Sequence, residues 1–179
     1  CLVGSEMCIR DRYLLGAMLV TQAFVVAPAL AQKMATVNVV QIFGTVDPAK
    51  VNDYTEYMAA VNMYEALTTL DSSGSIKPLL AESWNVSADT LTYTFKLKSG
   101  ATFQDGSPVE AKDVVYSVNR LLALNEGPSY LFEGVLDENS VSAVGNDKVE
   151  FKLKKVYTPF LTNTPILFVV NSDVAEANK

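Results

Sequence analysis

The 179-residue chain contains no histidine, and its two cysteines, Cys1 and Cys8, both lie at its start. Lack of histidine excludes Ser–His and Cys–His nucleophilic catalysis, in which an imidazole takes the nucleophile's proton. It also leaves carboxylates as the available metal ligands beyond the first residues. The glycines stand singly, so no glycine-rich loop is present to cradle a phosphate. Basic residues are few, 14 Lys+Arg against 20 Asp+Glu for a net charge of −6. Nucleic-acid binding depends on basic surface, so no such partner is expected. No catalytic residue, metal or cofactor is expected either.

What the chain has is apolar substance. A hydrophobic content of 49% with 19% charged residues is ample for a packed core. Residues 14–31 form one run without any charge. It ends in Ala29-Leu30-Ala31 followed by Gln32, and Arg10 and Arg12 stand upstream. A charged start, an apolar middle and a small-x-small ending define a secretory signal peptide. The run is long enough for a permanent anchor, which needs roughly 17–25 residues. Pro28 and the small residues around it favour cleavage. We therefore expect a signal peptide over 13–31 and a periplasmic mature chain. Residues 1–12, which lack a starting Met, read as a non-native, adapter-like leader. A mature chain from Gln32 would hold no cysteine, so disulfides drop out. It would also remain at net −6, because Arg10, Arg12, Glu6 and Asp11 leave together.

Along the mature chain, residues 36–43 are rich in Val and read as a strand. Val46-Asp47-Pro48 reads as a turn, since proline biases its predecessor away from helix. Asp53 with Glu56 three residues on has the form of a capping box. The apolar positions of the helix it opens, Tyr54, Tyr57, Met58, Val61, Tyr64 and Leu67, keep helical spacing. Asp71-Ser72-Ser73-Gly74 should turn the chain. Leu91, Tyr93, Phe95 and Leu97 alternate with polar residues and read as a half-buried strand. Asp105-Gly106 reads as a turn, and Ser107 with Glu110 again has capping-box form. A second amphipathic helix is expected over about 111–124, burying Val114, Val115, Val118, Leu121 and Leu122. Gly145-Asn146-Asp147 reads as a hairpin turn before the alternating Val149, Phe151 and Leu153. Residues 166–170 are continuously apolar, as in a strand buried on both faces.

Candidate chemistry is sparse. Asp137-Glu138 could act as an acid–base pair, but nothing apolar flanks it to shift a pKa, and an exposed turn is the better reading. Trp84 and Tyr93 read as core. Tyr54 and Tyr57, near a helix start whose N–H groups would attract a carboxylate, could face a cleft, and Tyr54 reads equally as a packing residue or a cleft residue. Tyr64 reads as core.

Several blocks together then carry a resemblance. Met63-Tyr64-Glu65-Ala66-Leu67 precedes Ile76-Lys77-Pro78-Leu79-Leu80-Ala81-Glu82-Ser83-Trp84. Val86-Ser87-Ala88-Asp89, Tyr93-Thr94-Phe95-Lys96-Leu97-Lys98 and Phe103-Gln104-Asp105-Gly106-Ser107-Pro108 follow. Ala111-Lys112-Asp113-Val114-Val115-Tyr116-Ser117 and Asn119-Arg120 complete the series. In this order they resemble the extracellular solute-binding proteins of peptide and nickel ABC importers, family 5. Gln104, Lys98 and Glu110 depart from the residues usual at those positions.

The resemblance implies an α/β, class II periplasmic-binding-protein fold, present here in part. It implies a start of lobe one over 32–75, an extra sheet-rich subdomain over 76–164 and a return strand to lobe one over 165–179. Such proteins are considerably longer, so the rest of lobe one and all of lobe two would lie outside this sequence. The implied function is a receptor that delivers peptides or peptide-like solutes to an inner-membrane ABC permease, itself monomeric and not an enzyme. The solute would lie between the lobes, and lobe one would contribute Phe43, Gly44, Thr45, Asp53, Tyr54 and Tyr57. Asp105-Gly106 and Arg120 would be structural. Alternatives are an envelope sensory or structural module of the same fold, or a carboxylate-dependent envelope hydrolase. If the signal is cleaved, N-terminal sequencing of periplasmic protein should begin at Gln32; membrane-bound material retaining residues 14–31 would show an anchor instead.

Overall fold

The computed structural model describes residues 44–178. The expected signal peptide and the strand over 36–43 lie outside the described residues. From Gly44 the chain passes through a turn at Asp47–Lys50, where the Lys50 amide donates to the Asp47 carbonyl at 2.9 Å. Helix α1 (Tyr54–Ala60) follows, with Asp53 as its N-cap: the Asp53 carboxylate accepts from the Glu56 amide at 2.9 Å. The helix is shorter than its spacing predicts. Leu67 and Thr68 are buried from an extended segment that leads into β1 (Thr68–Leu70), not from a helical face. The backbone there is held by the next strands, with Leu80 donating to Ala66 at 3.1 Å and Ala81 to Leu67 at 2.9 Å.

Strand β1 pairs antiparallel with β2 (Ile76–Pro78) across the Asp71–Gly74 turn. A four-stranded antiparallel sheet follows, in the order β3 (Ala81–Val86), β4 (Thr92–Leu97), β6 (Lys148–Lys152), β5 (Val141–Val144). Alternation is strict on β4: Tyr93, Phe95 and Leu97 are buried, and Phe95 faces Val149 while Tyr93 faces Phe151. Phe95 lies 5.5 Å from Phe151, Phe151 5.4 Å from Phe160, and Phe160 4.6 Å from Tyr93. Each such buried ring contributes about 1.5–3 kcal/mol of hydrophobic stabilisation. Trp84 is half-buried against Phe95, so both it and Tyr93 belong to this core.

Helix α2 (Ala111–Leu124) packs on β5 and β6. Its buried stripe is Ala111, Val114, Val118 and Leu121; Val115 and Leu122 are only partly covered. Asn125 ends it in the left-handed conformation at φ 51°, which asparagine tolerates well. Glu110 is the N-cap, and the capping box lies three residues later than expected: the Glu110 amide donates to the Asp113 carboxylate at 2.9 Å. Ser107 instead closes the Asp105-Gly106 turn, where its amide donates to Asp105 Oδ1 at 2.9 Å and Gly106 takes φ 84°. The Asp137-Glu138 segment is a turn whose first carboxylate accepts from Lys154 at 3.0 Å.

The segment 166–170 differs from the expected strand. A 3-10 turn (Thr164–Ile166) precedes it, and Phe168 makes an isolated antiparallel bridge to Ala66. Val169 donates to the Glu65 carbonyl at 2.9 Å, but the pairing stops there, because the Val170 amide donates to Ser117 Oγ of α2 at 2.9 Å. Asp113, 1% exposed, accepts from the Ser172 amide at 3.0 Å and from Ser172 Oγ at 2.6 Å. Leu167, Phe168 and Val169 are buried, whereas Ile166 and Val170 are half-exposed. Helix α3 (Phe160–Asn163) and helix α4 (Ser172–Ala177) complete the described elements. Among the described residues no helix is long and apolar enough to cross a membrane.

Arg120 is structural, as the resemblance implied. Its guanidinium donates to both oxygens of Asp47, at 2.7 and 2.6 Å, across 73 residues of chain. Hydrogen bonds from Arg120 hold the Asp47 carboxyl below its usual value of 3.8, against partial desolvation. A depressed carboxyl contributes stability that is complete above its unfolded pKa and lost as pH falls through the folded one. Arg120→Ala should therefore cost about 1–3 kcal/mol at neutral pH by chemical denaturation. The difference between wild type and variant should shrink as pH drops below about 4; a difference constant from pH 7 to pH 2 would show that the pair contributes nothing.

Candidate functional site

The loop leading into α1 closes on one side chain. Glu56, in the first turn of the helix and 6% exposed, turns its carboxylate back onto the loop. Its Oε1 accepts from the amides of Gly44 at 3.0 Å and Thr45 at 3.2 Å, and its Oε2 accepts from the Asn52 amide at 2.8 Å. The capping box thus forms in half: Asp53 caps the helix, while Glu56 serves the loop before it. Thr45 Oγ1 accepts from the Asp47 amide at 3.0 Å, which leads directly to the Asp47–Arg120 pair.

Gly44, Thr45 and Asp53 are therefore gathered around the start of α1. Phe43 lies outside the described residues. Two of the amides expected to attract a ligand carboxylate near the helix start, those of Asn52 and Glu56, are already occupied by the protein's own carboxylates.

Beside this loop lies a cleft of about 230 Å³. Val51, Asp53, Tyr54 and Tyr57 form one wall, and Pro128, Tyr130 and Phe168 another. Tyr54 is 77% exposed at its rim and Tyr130 is 70% exposed. Tyr57 is half-buried, with its ring 5.8 Å from that of Phe168. Burial raises its hydroxyl pKa above the ordinary value of 10.0, so at neutral pH it is an uncharged donor and acceptor. Tyr54 thus stands as a rim residue, while Tyr57 both packs and lines the cleft. Tyr64 packs on Phe168 at 6.3 Å, outside this cleft. Burial, and then the charge of Asp47, raise its hydroxyl pKa as well.

The second wall is absent from the sequence reading. Gly127 and Pro128 begin a 3-10 segment (Gly127–Phe132) that lies directly on the 49–51 backbone. A Cβ on Gly127 would come within 2.8 Å of the Ala49 carbonyl oxygen and of the Lys50 carbonyl carbon. The glycine-proline pair is a legible turn signal, but nothing in it announces which segment it will touch.

A larger open groove of about 590 Å³ runs between residues 61–65, the 102–104 segment and the start of α4. Gln104 lies in its wall and donates to the Met63 carbonyl at 3.0 Å. Among the described residues no group of three or more His, Cys, Asp or Glu side chains could hold a metal ion. The arrangement offers apolar and phenolic surface for holding a small molecule.

Comparison with known proteins agrees in kind. The model for bacterial extracellular solute-binding proteins, family 5 (middle region), matches residues 75–179. The glutathione-binding protein GsiB of Pectobacterium atrosepticum is 33% identical over 160 residues, covering 89% of this chain and 30% of that protein. The probable D,D-dipeptide-binding periplasmic protein DdpA of Escherichia coli K12 is 31% identical over 153 residues, 83% of this chain and 29% of the relative. Among solved structures, peptide-bound OppA of Listeria monocytogenes superposes with a TM-score of 0.68 at 25% identity, covering 75% of this chain and 30% of that one. The murein tripeptide binding protein MppA of Escherichia coli gives 0.67 at 28% identity, with the same coverage. The chain thus spans about 30% of the length of these relatives.

The cleft depends on how closely its two walls approach, which yields a comparison of two glycines. Gly127 and Gly106 both have positive φ, 50° and 84°, but a Cβ on Gly106 would meet nothing within 4 Å. Gly106→Ala should cost about 1–2 kcal/mol from backbone strain alone. Gly127→Ala adds a backbone clash and should lower the melting temperature by clearly more. Equal losses would mean that the approach of the two walls is not tight.

Proposed function

The chain belongs to the bacterial extracellular solute-binding proteins of family 5, and from that membership we propose that it is the first part of a periplasmic receptor for peptides or peptide-like solutes. The full-length protein would hand its solute to an inner-membrane ABC permease. The family match over residues 75–179 is the observation that carries this reading. Similarity to proteins named for binding glutathione, D,D-dipeptides and a murein tripeptide supports the peptide-like class.

In this reading residues 32–75 begin lobe one, 76–164 form its extra subdomain and 165–179 return to lobe one. The proposed lobe-one contacts are Phe43, Gly44, Thr45, Asp53, Tyr54 and Tyr57. The cleft supports the last three directly, since they line it together. Gly44 and Thr45 do not line it but belong to the loop that Glu56 holds. Closure of a second lobe over this face would bury the solute and shift an open–closed equilibrium. The protein carries out no bond chemistry of its own in this scheme. Export by the segment over 13–31 would place it in the periplasm, where the acidic, cysteine-free mature chain suits it.

The experiment is a titration by calorimetry of two proteins, the full-length receptor and the piece from Gln32 to Lys179. A half-site leaves the solute wet on one side and removes contacts that would offset the cost of association. The full-length protein should bind glutathione or a short peptide with saturation. The shorter piece should show none and should aggregate or self-associate. Saturable micromolar binding by a monomeric shorter piece would overturn the two-lobe reading and place a complete site within these residues.

A further inference from the structure

Taking the solute-binding reading as given, we propose that Glu56 is the positioning residue of the cleft: its buried carboxylate fixes the 44–52 loop and so sets the wall against which the solute lies. Three backbone amides from two separate stretches converge on this one side chain, at 3.0, 3.2 and 2.8 Å. A carboxylate is the side chain suited to that task, because it presents two oxygens and no competing donor. Bonds from N–H groups to an ionised acceptor are also the strong ones. The loop is built to let the carboxylate in. A Cβ on Gly44 would lie 3.2 Å from Glu56 Oε1, closer than side chains ordinarily pack. Gly44 therefore serves this site by clearing the approach to Glu56, in addition to its proposed place among the solute contacts.

The position of the wall follows from this contact. Asn52 is held by Oε2 and stands between Val51 and Asp53, which line the cleft. Tyr57, the residue after Glu56, lines it as well. At the other end, Thr45 Oγ1 passes the constraint to Asp47, whose carboxylate is fixed by Arg120. Glu56 thus joins the start of the loop to its end, while Arg120 ties the middle to α2. Replacing Glu56 by Gln keeps size and shape but turns one oxygen into a donor, leaving at least one of the three amides facing an N–H group.

The test uses the full-length protein and two readouts, amide hydrogen exchange and glutathione affinity. In Glu56→Gln the amides of Gly44, Thr45 and Asn52 should exchange roughly tenfold faster or more, as expected for loss of a charge-assisted bond. The α2 amides should keep their protection. Affinity for glutathione should fall by a similar factor. Gly106→Ala, which strains a turn away from the cleft, should lower the melting temperature without changing loop exchange or affinity. If Glu56→Gln does not fold, Gly44→Ala serves in its place, since it presses on Oε1 and leaves the carboxylate intact; it should give the same local loosening and weaker binding. Unchanged loop exchange, unchanged affinity, or loss of protection spread equally over α2 and β4 would each overturn the proposal. A wild-type protein that binds no glutathione or short peptide would sink the solute-binding reading instead, and the exchange pattern would still decide whether Glu56 holds the loop.

Discussion

The contact between Asp47 and Arg120 joins two parts of the chain that nothing local would bring together. One partner sits in a turn before α1, the other two-thirds of the way along α2. Both oxygens and both terminal nitrogens are used, so the pair fixes orientation as well as distance. Its stabilising contribution is modest, because both side chains remain about one-quarter to one-third exposed. Its structural consequence is larger. With Asp47 held on α2, the loop over 44–53 is laid along the core, and the cleft has a fixed wall. The same side of α2 fastens the chain's last described segment, through Asp113 to Ser172 and through Ser117 to Val170. Helix α2 is thus the beam on which the first and last parts of this region are hung.

The candidate site follows from two close approaches made possible by glycine. Gly44 admits the Glu56 carboxylate, and Gly127 admits the backbone of residues 49–51. In both cases the missing side chain lets polar groups meet main chain at hydrogen-bonding or van der Waals distance. The cleft lies between these contacts, and aromatic side chains supply its surface. Tyrosine suits such a place because the ring gives area at low entropic cost, while the hydroxyl retains a polar contact.

The blocks that carry the family resemblance have mostly structural work. Asp105-Gly106 is a turn, Asp113 caps α2 and holds Ser172, and Arg120 holds Asp47. Phe95 and Tyr93 sit in the aromatic core. Family membership is therefore written in the scaffold, which relatives share whatever they bind. The cleft residues Tyr54 and Tyr130 are exposed and make few internal demands.

Much of this was determined by the amino-acid sequence itself. The alternation on β4 and β6, the span of α2, the hairpin turn at 145–147 and the Asp105-Gly106 turn are local patterns, and local patterns report periodicity and turn chemistry directly. The absence of histidine likewise excluded whole classes of chemistry without any coordinates. Tertiary structure decided what depends on partners distant in the chain. Tyr64 and Leu67 continue a helical spacing after Ala60, yet the chain turns at 61–63 and Ala66 and Leu67 are then held by the amides of Leu80 and Ala81. Residues 166–170 are apolar enough for a strand, but only a single bridge to Ala66 forms, with Val169 donating to Glu65, while the amides of Leu167 and Phe168 go to local turns and that of Val170 to Ser117. Glu56 has the form of a capping residue, and only the folded loop gives it three amides to hold. Spacing along the chain records which face a residue turns to, whereas the identity of its neighbour is set by contacts made across 11 to 96 residues of chain.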